Sequence, residues 1–310
     1  MASLNSQNGI GYDVVRTAID GVWDQSYNVD THPEHASAET SKIFRQETTD
    51  KSAEIVDSVK GVGEWGQRAE EADVAEGAPK FGNQKIFSVV NFAKSVDISK
   101  NFFDDNQHGA WETIVRNFAR RARTSRDKNA MSVYRNAFTT ALTGDGVALI
   151  SDSHLNLNGD TVDNKGSGAL SDTTINTALV QLAELKSEDG EIDGGLASCL
   201  LVPLALYKTA SIILDSELRS NTSNNDQNVY SDKYGITLYT SQFLGAAAGG
   251  SDTAWFLLSD THSVTRYVRK PVETTLVDWA YQRNNNYVYK GEFREAVGAV
   301  SHEGIVGNAS

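Results

Sequence analysis

The sequence contains a single cysteine, and no apolar run in it approaches the length of a membrane span. Cys199 has no partner for an intrachain disulfide, and the apolar residues around it are typical of a small buried hydrophobe. A transmembrane helix needs about 20 consecutive apolar residues. The N-terminus also lacks a basic flank followed by an apolar stretch, which a secretory signal would require. These absences predict a soluble protein that is synthesised in the cytoplasm.

Basic residues are scarce relative to acidic ones. The chain of 310 residues has 28 Lys and Arg against 41 Asp and Glu, which gives a formal net charge of −13. A protein that grips DNA normally carries a basic surface that neutralises phosphates, so sequence-specific DNA binding is excluded as the main activity. An acidic container for DNA remains compatible, because a lining that bound phosphate tightly would hinder packing and release.

Catalytic motifs are also missing. The sequence has no G-x-S-x-G, no phosphate-binding loop and no H-E-x-x-H. His154 follows Asp152 and Ser153 directly, but catalytic triads are assembled from distant positions, so this adjacency carries little information. The pair Asp104 and Asp105 precedes a predicted helix, where the helix dipole favours negative charge, and helix capping is preferred over acid–base catalysis. The sequence therefore predicts a protein that is not an enzyme.

One histidine pair has a spacing seen in zinc sites. Asp30 and Glu34 lie close to His32 and His35, but a site would need further ligands and an ordered frame, and Pro33 and the polar surroundings favour neither. We expect an exposed arm here, and the sequence predicts neither a metal ion nor any other cofactor.

The first hundred residues have little capacity to form a core of their own. Residues 1–50 are predicted to be an N-terminal arm, followed by a helix over residues 51–60 with Thr48 or Thr49 as its N-cap. After a glycine-rich acidic segment, apolar side chains alternate from Ile86 to Ile98, which predicts a long strand. This strand is interpreted as one arm of an extended hairpin within residues 51–100. Such an arm cannot bury both faces by itself, so we expect neighbouring copies of the chain to cover both the hairpin and the N-terminal arm.

A long helix is predicted from about residue 109 to residue 142. Trp111, Ile114, Val115 and Phe118 form one apolar stripe, and the stripe resumes at Tyr134. Some thirty residues at 1.5 Å each predict a rod of roughly 50 Å, a spine within residues 101–147 that crosses a whole domain.

Residues 148–262 are predicted to form a compact α/β unit. A helix begins at Ser171 or Asp172, a strand covers residues 199–202, and Pro203 lies where the next helix begins. Two more strands are predicted over residues 236–240 and 255–258. Residues 263–310 then return to strands at 264–270, 272–279 and 287–293, with a polar turn at 282–286. Because no later helix accompanies them, these strands are expected to pack on the spine.

Opposite charges are concentrated in two segments. The predicted spine helix carries Arg116, Arg120, Arg121 and Arg123. The segment before the long strand carries Glu64, Trp65, Arg68, Glu70, Glu71, Asp73 and Glu76. If the hairpin of one copy lies on the spine of another, these charges meet across a subunit boundary and set register more than binding energy. The alternative is an ordinary solvated helix face.

The order of N-terminal arm, extended hairpin, spine helix, inserted α/β domain and returning strands resembles the Hong Kong 97 capsid fold, an α+β fold. Local motifs resemble those of the Mu-like phage major head subunits. Residues 64–68 (EWGQR) resemble the family's E-W-x-G-x-R segment, and residues 104–109 (DDNQHG) resemble its D-D-Q-x-G segment before the spine helix. Asp145-Gly146 with His154, and LLVP at residues 200–203, resemble further steps of that family.

The resemblance implies a major capsid protein of a tailed bacteriophage. It implies hexamers and pentamers in an icosahedral shell around double-stranded DNA, with a portal protein and candidate decoration proteins as partners. Because no scaffolding extension precedes Met1, a separate scaffolding protein is expected. Two alternatives remain open: an encapsulin-like nanocompartment with the same fold, and a monomeric hydrolase that uses His154 and nearby carboxylates.

Overall fold

A computed structural model describes residues 12–28, 33–60, 66–71, 73–74, 76–77, 79–105, 109–216, 228, 230, 235–277 and 286–309. The helices are α1 (Tyr12–Tyr27), α2 (Lys100–Asp104), α3 (Ala110–Ala130), α4 (Ser132–Arg135), α5 (Asp172–Ala183) and α6 (Tyr207–Asp215). The strands are β1 (Arg45–Thr48), β2 (Ala53–Lys60), β3 (Lys80–Ser88), β4 (Val90–Ser99), β5 (His154–Leu155), β6 (Thr161–Val162), β7 (Lys165–Ser167), β8 (Ala197–Pro203), β9 (Thr237–Ser241), β10 (Trp255–Ser259), β11 (Val264–Val277), β12 (Asn286–Ala299) and β13 (Ile305–Ala309). None of the described helices is long and apolar enough to cross a membrane.

A four-stranded sheet in the order β1-β11-β12-β4 lies under the spine helix α3. Its two central strands are antiparallel and 14 residues long, and β11 is continuous where two strands, 264–270 and 272–279, were predicted. The irregular register between Val268 and Glu273 explains the break in the sequence pattern. The predicted turn at 282–286 lies outside the described residues except for Asn286, which begins β12.

The spine helix is shorter than predicted. It ends at Ala130, and its 21 residues span about 31 Å. Met131 is the N-cap of the separate short helix α4, and the chain then turns. Met131, Tyr134 and Ala137 therefore lie in a different core from Trp111 and Phe118. The apolar stripe therefore continues across the break, but it faces two cores. Asp104 and Asp105 end α2, at its last residue and its C-cap, so their predicted role at a helix start is wrong.

The N-terminal arm has partners within its own chain, which corrects the expectation that neighbouring copies alone would cover it. In α1, Val15, Ile19 and Trp23 are buried against the apolar stripe of α3. Trp23 lies 5.4 Å from Phe118 and 5.8 Å from Tyr289, measured between ring centroids. This helix, which the sequence reading missed, closes the sheet-and-spine core.

Residues 33–48 then cross the molecule between the two sheets. Ala38, Ile43 and Phe44 are fully buried, and β1 pairs in parallel with β11. The hydroxyl of Tyr134 donates a 2.6 Å hydrogen bond to the Ile43 carbonyl. His35, which the sequence paired with His32 as a weak metal candidate, forms a parallel bridge with Thr240, and His32 lies outside the described residues.

The predicted helix over residues 51–60 is wrong, because this segment forms β2. Thr49 accepts a hydrogen bond from the Lys51 backbone N–H and donates one to Glu54, as the start of a turn and not as a helix cap. Ile55, Val56 and Val59 are β-branched and favour a strand. Antiparallel pairing with β3 stabilises the segment as a strand and not as a helix. The long strand predicted from residue 86 to residue 98 is divided at Val89 into β3, the second hairpin arm, and β4, a strand of the four-stranded sheet.

A five-stranded sheet in the order β7-β13-β10-β8-β9 forms the α/β unit, with α5 and α6 packed on it. The predicted helix at Asp172 and the predicted strands β8, β9 and β10 are confirmed, and Ser171 and Thr174 form a capping box. Pro203 ends β8, and a single 3-10 turn separates it from α6. The last strand, β13, corrects the expectation for residues 263–310, because it lies in this sheet and not on the spine.

Candidate inter-subunit surfaces and a buried histidine pair

The hairpin of β2 and β3 exposes an apolar face. Ile55 is paired with Ile86 across the two strands, and Val59 is paired with Phe81. Their exposed fractions are 55% for both isoleucines, 58% for Val59 and 72% for Phe81. Such a cluster on two strands is unusual for a surface in contact with water only, and exposed apolar patches of this kind commonly mark protein interfaces.

The opposite face of the hairpin rests on its own chain. Phe87 is buried, and its ring lies 5.0 Å from the ring of Tyr267 in β11. At the distal end of β2, Lys60 forms an ion pair with Glu303, which also accepts a 3.0 Å hydrogen bond from the Glu188 backbone N–H. The hairpin is therefore anchored on one side and free to contact another molecule on the other.

The acidic segment between β2 and β3 is exposed wherever the structure describes it. Arg68, Glu70, Glu71, Asp73 and Glu76 are all exposed, whereas Glu64 and Trp65 lie outside the described residues. Glu71 has a φ of 64°, in the left-handed region that few non-glycine residues adopt.

The arginines of the spine helix divide into two groups. Arg116, Arg120 and Arg121 are exposed and form no ion pair among the described residues. Arg123 is half-buried, and its guanidinium points to the Tyr27 carbonyl of α1 at 3.5 Å. The structure thus turns Arg123 toward its own N-terminal helix. Within one chain, no described ion pair joins the exposed arginines to the acidic segment, so their contact across subunits stays a prediction.

A groove of about 420 Å³ runs between the spine helix and the four-stranded sheet. Phe92, Phe118 and Phe293 form its apolar lining, and Phe92 stacks on Phe293 with centroids 4.8 Å apart. Arg121 and Lys94 add positive charge to the lining. Sequence reasoning missed this groove, because its three phenylalanines come from three elements far apart in the chain.

His154, the residue of the hydrolase alternative, is completely buried beside a second histidine. Its Nδ1 lies 2.7 Å from Asp145 Oδ2, and its Nε2 lies 3.3 Å from the Leu149 carbonyl. The His302 ring stacks on it with centroids 4.5 Å apart. Ser153 is hydrogen-bonded to Ser151 and not to His154. A buried imidazole with this arrangement has no access to a substrate.

The charge states around this pair follow from burial and hydrogen bonding. Burial alone would raise the pKa of Asp145, but hydrogen bonds from His154, Thr143 and the Val147 backbone outweigh it and lower the pKa to about 2. Burial, reinforced by the neighbouring His154, lowers the pKa of His302 to about 4. Burial also raises the pKa of Cys199 to about 12, so its thiol is not a nucleophile near neutral pH, as the sequence predicted.

The comparison with protein families gives a match over most of the chain. Residues 82–308 match the family model described as phage capsid protein. No curated protein matches the sequence.

Solved structures with the same fold come from phages and related particles. The capsid of Myoviridae phage XM1 is 12% identical, with a TM-score of 0.53 over 91% of this chain and 94% of that chain. A capsid of an empty GTA particle is also 12% identical, with a TM-score of 0.54 over 92% and 96% of the two chains. A virus-like particle from Pyrococcus furiosus is 9% identical, with a TM-score of 0.55 over 96% and 99%. At these identities the likeness shows the fold, and that fold is the one the element order predicted.

Proposed function

The chain belongs to the phage capsid protein family, and we propose that its copies form the hexamers and pentamers of an icosahedral shell around double-stranded DNA. It is a major capsid protein with the Hong Kong 97 fold, a structural protein of the virion and not an enzyme. Shell formation requires that each copy bind others, so the surfaces that each chain leaves uncovered are the candidates for contact. The Mu-like assignment stays a prediction.

The observation that carries the proposal is the uncovered apolar face of the hairpin. Ile55, Val59, Phe81 and Ile86 together offer four large side chains that are each more than half exposed. We assign as their partner the groove between spine helix and sheet in a neighbouring copy, whose lining includes Phe118. Burying apolar area on both sides supplies most of the association energy.

Charge complementarity supports the same pairing. Asp57 lies between the two apolar pairs on the exposed face of the hairpin, and Arg121 and Lys94 line the groove. The exposed acidic segment with Glu70, Glu71, Asp73 and Glu76 continues from the hairpin, and Arg116 and Arg120 continue from the groove along the spine. These exposed pairs would set register and speed association, with little energy each.

We extend the proposal to organisation and partners. Residues 1–50 form the arm, residues 51–100 form the hairpin with its flanks, and residues 101–147 form the spine. Residues 148–262 form the inserted domain, and residues 263–304 form the returning strands. The last strand, β13, completes the sheet of the inserted domain. Assembly takes place in the host cytoplasm, with a portal protein, a separate scaffolding protein and decoration proteins as candidate partners. The acidic chain encloses DNA without sequence-specific contacts.

A charge-reversal experiment tests the subunit contact. Replacing Arg120 and Arg121 by Glu should prevent shell formation while the subunit stays folded, as measured by negative-stain electron microscopy and circular dichroism. Adding Glu70→Lys and Glu71→Lys to that variant should restore shells, because the charges are then exchanged across the boundary. Normal shells from the first variant would refute the pairing.

A second variant tests the apolar part. Phe81→Ser with Ile86→Ser should abolish shells without unfolding, because both side chains are exposed in the free subunit. Leu196→Ser, at a residue that is 78% exposed on the inserted domain, is the matched control and should assemble normally. If both variants assemble equally well, the hairpin face is not an interface.

The contents of purified particles separate the phage shell from an encapsulin-like compartment. Nuclease-resistant DNA in particles produced during infection supports the phage shell. Particles that contain an enzyme cargo and no DNA would support the alternative.

A further inference from the structure

The buried histidine pair has a feature that assembly does not explain. Asp145, His154 and His302 each place one metal-ligating atom within 4.8 Å of the other two. They come from the turn after α4, from β5 and from the connection between β12 and β13. Both histidines are at most 1% exposed. Three ligand groups from distant parts of the chain therefore converge in a site that water does not reach freely.

The tautomers of both histidines follow from their backbone partners. His154 Nε2 lies 3.3 Å from the Leu149 carbonyl, and His302 Nε2 lies 3.1 Å from the Lys186 carbonyl. A carbonyl oxygen only accepts hydrogen bonds, so each Nε2 carries the proton. A ring that is neutral in this tautomer has a lone pair on Nδ1, the form in which it can bind a metal ion.

The contact between His154 and Asp145 consequently needs a positive charge. A neutral His154 with its proton on Nε2 presents a lone pair to an ionised carboxylate oxygen only 2.7 Å away. Two acceptors at that distance repel unless a cation lies between or beside them. Without a metal ion, the hydrogen bond from His154 to Asp145 places a proton there, and a divalent ion that His302 also binds would replace that proton.

The surrounding hydrogen bonds are those of a metal site. Metal-binding histidines almost always donate the other ring N–H to a carbonyl or carboxylate, and both histidines do so here. Asp145 Oδ1 is held by the Val147 backbone N–H at 3.0 Å and by the Thr143 hydroxyl, which leaves Oδ2 to face the histidines. Each of the three groups thus has one polar atom held by a neighbour, and each contributes a ligand atom to the cluster.

The frame that carries the ligands is also rigid. Asn164 is fully buried and donates from Nδ2 to the carbonyls of Leu149 at 2.8 Å and Ile305 at 3.2 Å. Its Oδ1 accepts from the Ser151 backbone N–H at 2.9 Å. One side chain therefore joins the segment before His154 to the segment after His302.

We propose that Asp145, His154 and His302 bind one divalent transition-metal ion of the zinc type, through Oδ2 and the two Nδ1 atoms. Two imidazoles and one carboxylate suit zinc, which binds such ligands at about 2.0–2.2 Å with tetrahedral geometry. Ligand atoms would then be about 3.3 Å apart, between the 2.7 Å contact and the 4.8 Å limit observed. A water molecule completes the fourth position.

The position of the site indicates a structural role. Gly144, next to Asp145, donates a 2.8 Å hydrogen bond to the Val300 carbonyl. Glu303, next to His302, pairs with Lys60 of the hairpin. The ion would join the end of the spine region, the start of the inserted domain and the returning strands, close to the distal end of β2. Metal binding to folded subunits does not require assembly, so this inference stands or falls independently of the proposed function.

Zinc binding to the purified full-length chain tests the site directly. The protein is stripped with a chelator, dialysed against zinc chloride, and analysed by atomic absorption. We expect about one zinc ion per chain, and a rise in melting temperature of about 5 °C when free zinc is about a hundredfold above its Kd. A wild-type chain that retains no zinc and melts at the same temperature with and without chelator would overturn the proposal and leave the hydrogen bond between His154 and Asp145 as the only contact of the cluster.

Variants locate the bound ion. Asp145→Asn and His302→Gln should each lose the zinc and the chelator-sensitive melting shift. His262→Gln is the matched control, since His262 is also buried and bonded to a backbone carbonyl but lies outside the cluster, and it should bind zinc as the wild type does. Full binding by Asp145→Asn and His302→Gln would place the zinc elsewhere and overturn the assignment. If a variant does not fold, the wild-type measurement decides.

Discussion

At the scale of single residues, buried polar side chains tie together segments that are far apart in the chain. Arg266 and Glu295 are nearly inaccessible and form an ion pair at 2.7 Å across β11 and β12. Asn129 of the spine helix donates to Glu295, and Arg266 reaches the Ala38 carbonyl of the N-terminal segment. Removing one partner would leave a buried charge uncompensated, at a cost of about 3–5 kcal/mol. The pair therefore makes sheet, spine and N-terminal segment mutually dependent.

His262 makes stability depend on pH. Burial, together with the nearby positive charge of Arg45, lowers its pKa from 6.5 to about 4 in the folded chain. Between these values the unfolded chain binds the proton and the folded chain does not, so stability is lost as the pH falls through that window. The loss reaches about 3 kcal/mol near pH 4.

Substituting this residue tests the effect. In urea unfolding of dissociated subunits, His262→Gln should gain about 3 kcal/mol relative to the wild type between pH 7 and pH 4. The glutamine amide can still donate to the Lys42 carbonyl, the partner of His262 Nε2. Stability curves that run parallel across this range would show that His262 does not control the acid response.

At the scale of elements, the sequence predicted those helices and strands that carry a capping motif or an apolar run within their own residues. The capping box of Ser171 and the apolar run of β8 are such signals. α1 was overlooked although Val15, Ile19 and Trp23 recur at helical spacing. The segment of β2 was predicted to be a helix because Thr49 resembles a helix cap. The strand that pairs with β2 lies some 30 residues further along the chain, too far for a local pattern to reveal it.

The packing of α1 on the spine can be measured. Ile19→Ala should reduce the free energy of unfolding by about 2–4 kcal/mol, because its side chain is fully buried and leaves a cavity. Val14→Ala, on the same helix but 61% exposed, should change it by less than about 0.5 kcal/mol. Equal effects in urea titrations would mean that α1 does not pack on the spine helix in solution.

At the scale of the whole molecule, the distribution of charge matters more than its total. The chain has a net charge of −13, yet the exposed part of the spine helix carries three arginines that form no ion pair with any residue that the structure describes. The acidic segment beyond the hairpin is equally concentrated. Copies of one acidic protein repel each other on average, so oppositely charged surfaces favour a single docking orientation over others.

Salt should therefore act differently on the wild type and on the charge-reversed variant. Raising the ionic strength from 0.1 M to 1 M shortens the Debye length from about 10 Å to about 3 Å. Wild-type assembly, followed by light scattering, should slow, whereas Arg120→Glu with Arg121→Glu, which should form no shells at low salt, should regain some assembly at 1 M because the repulsion is screened. If both proteins respond identically, charge does not guide the docking.

The sequence alone determined the α+β class, the order of the main segments, the principal helices and strands of the inserted domain and the presence of two segments of opposite charge. These features depend on residue type and short-range periodicity, which every part of the chain carries by itself. Tertiary structure decided where the spine helix ends, that α1 and residues 33–48 are covered by their own chain, and that β13 joins the other sheet. It also brought Asp145, His154 and His302 together. The pattern of apolar and polar residues indicates which face of a helix or strand is buried. The element that packs against that face depends on contacts between residues far apart in the sequence, which only the folded chain shows.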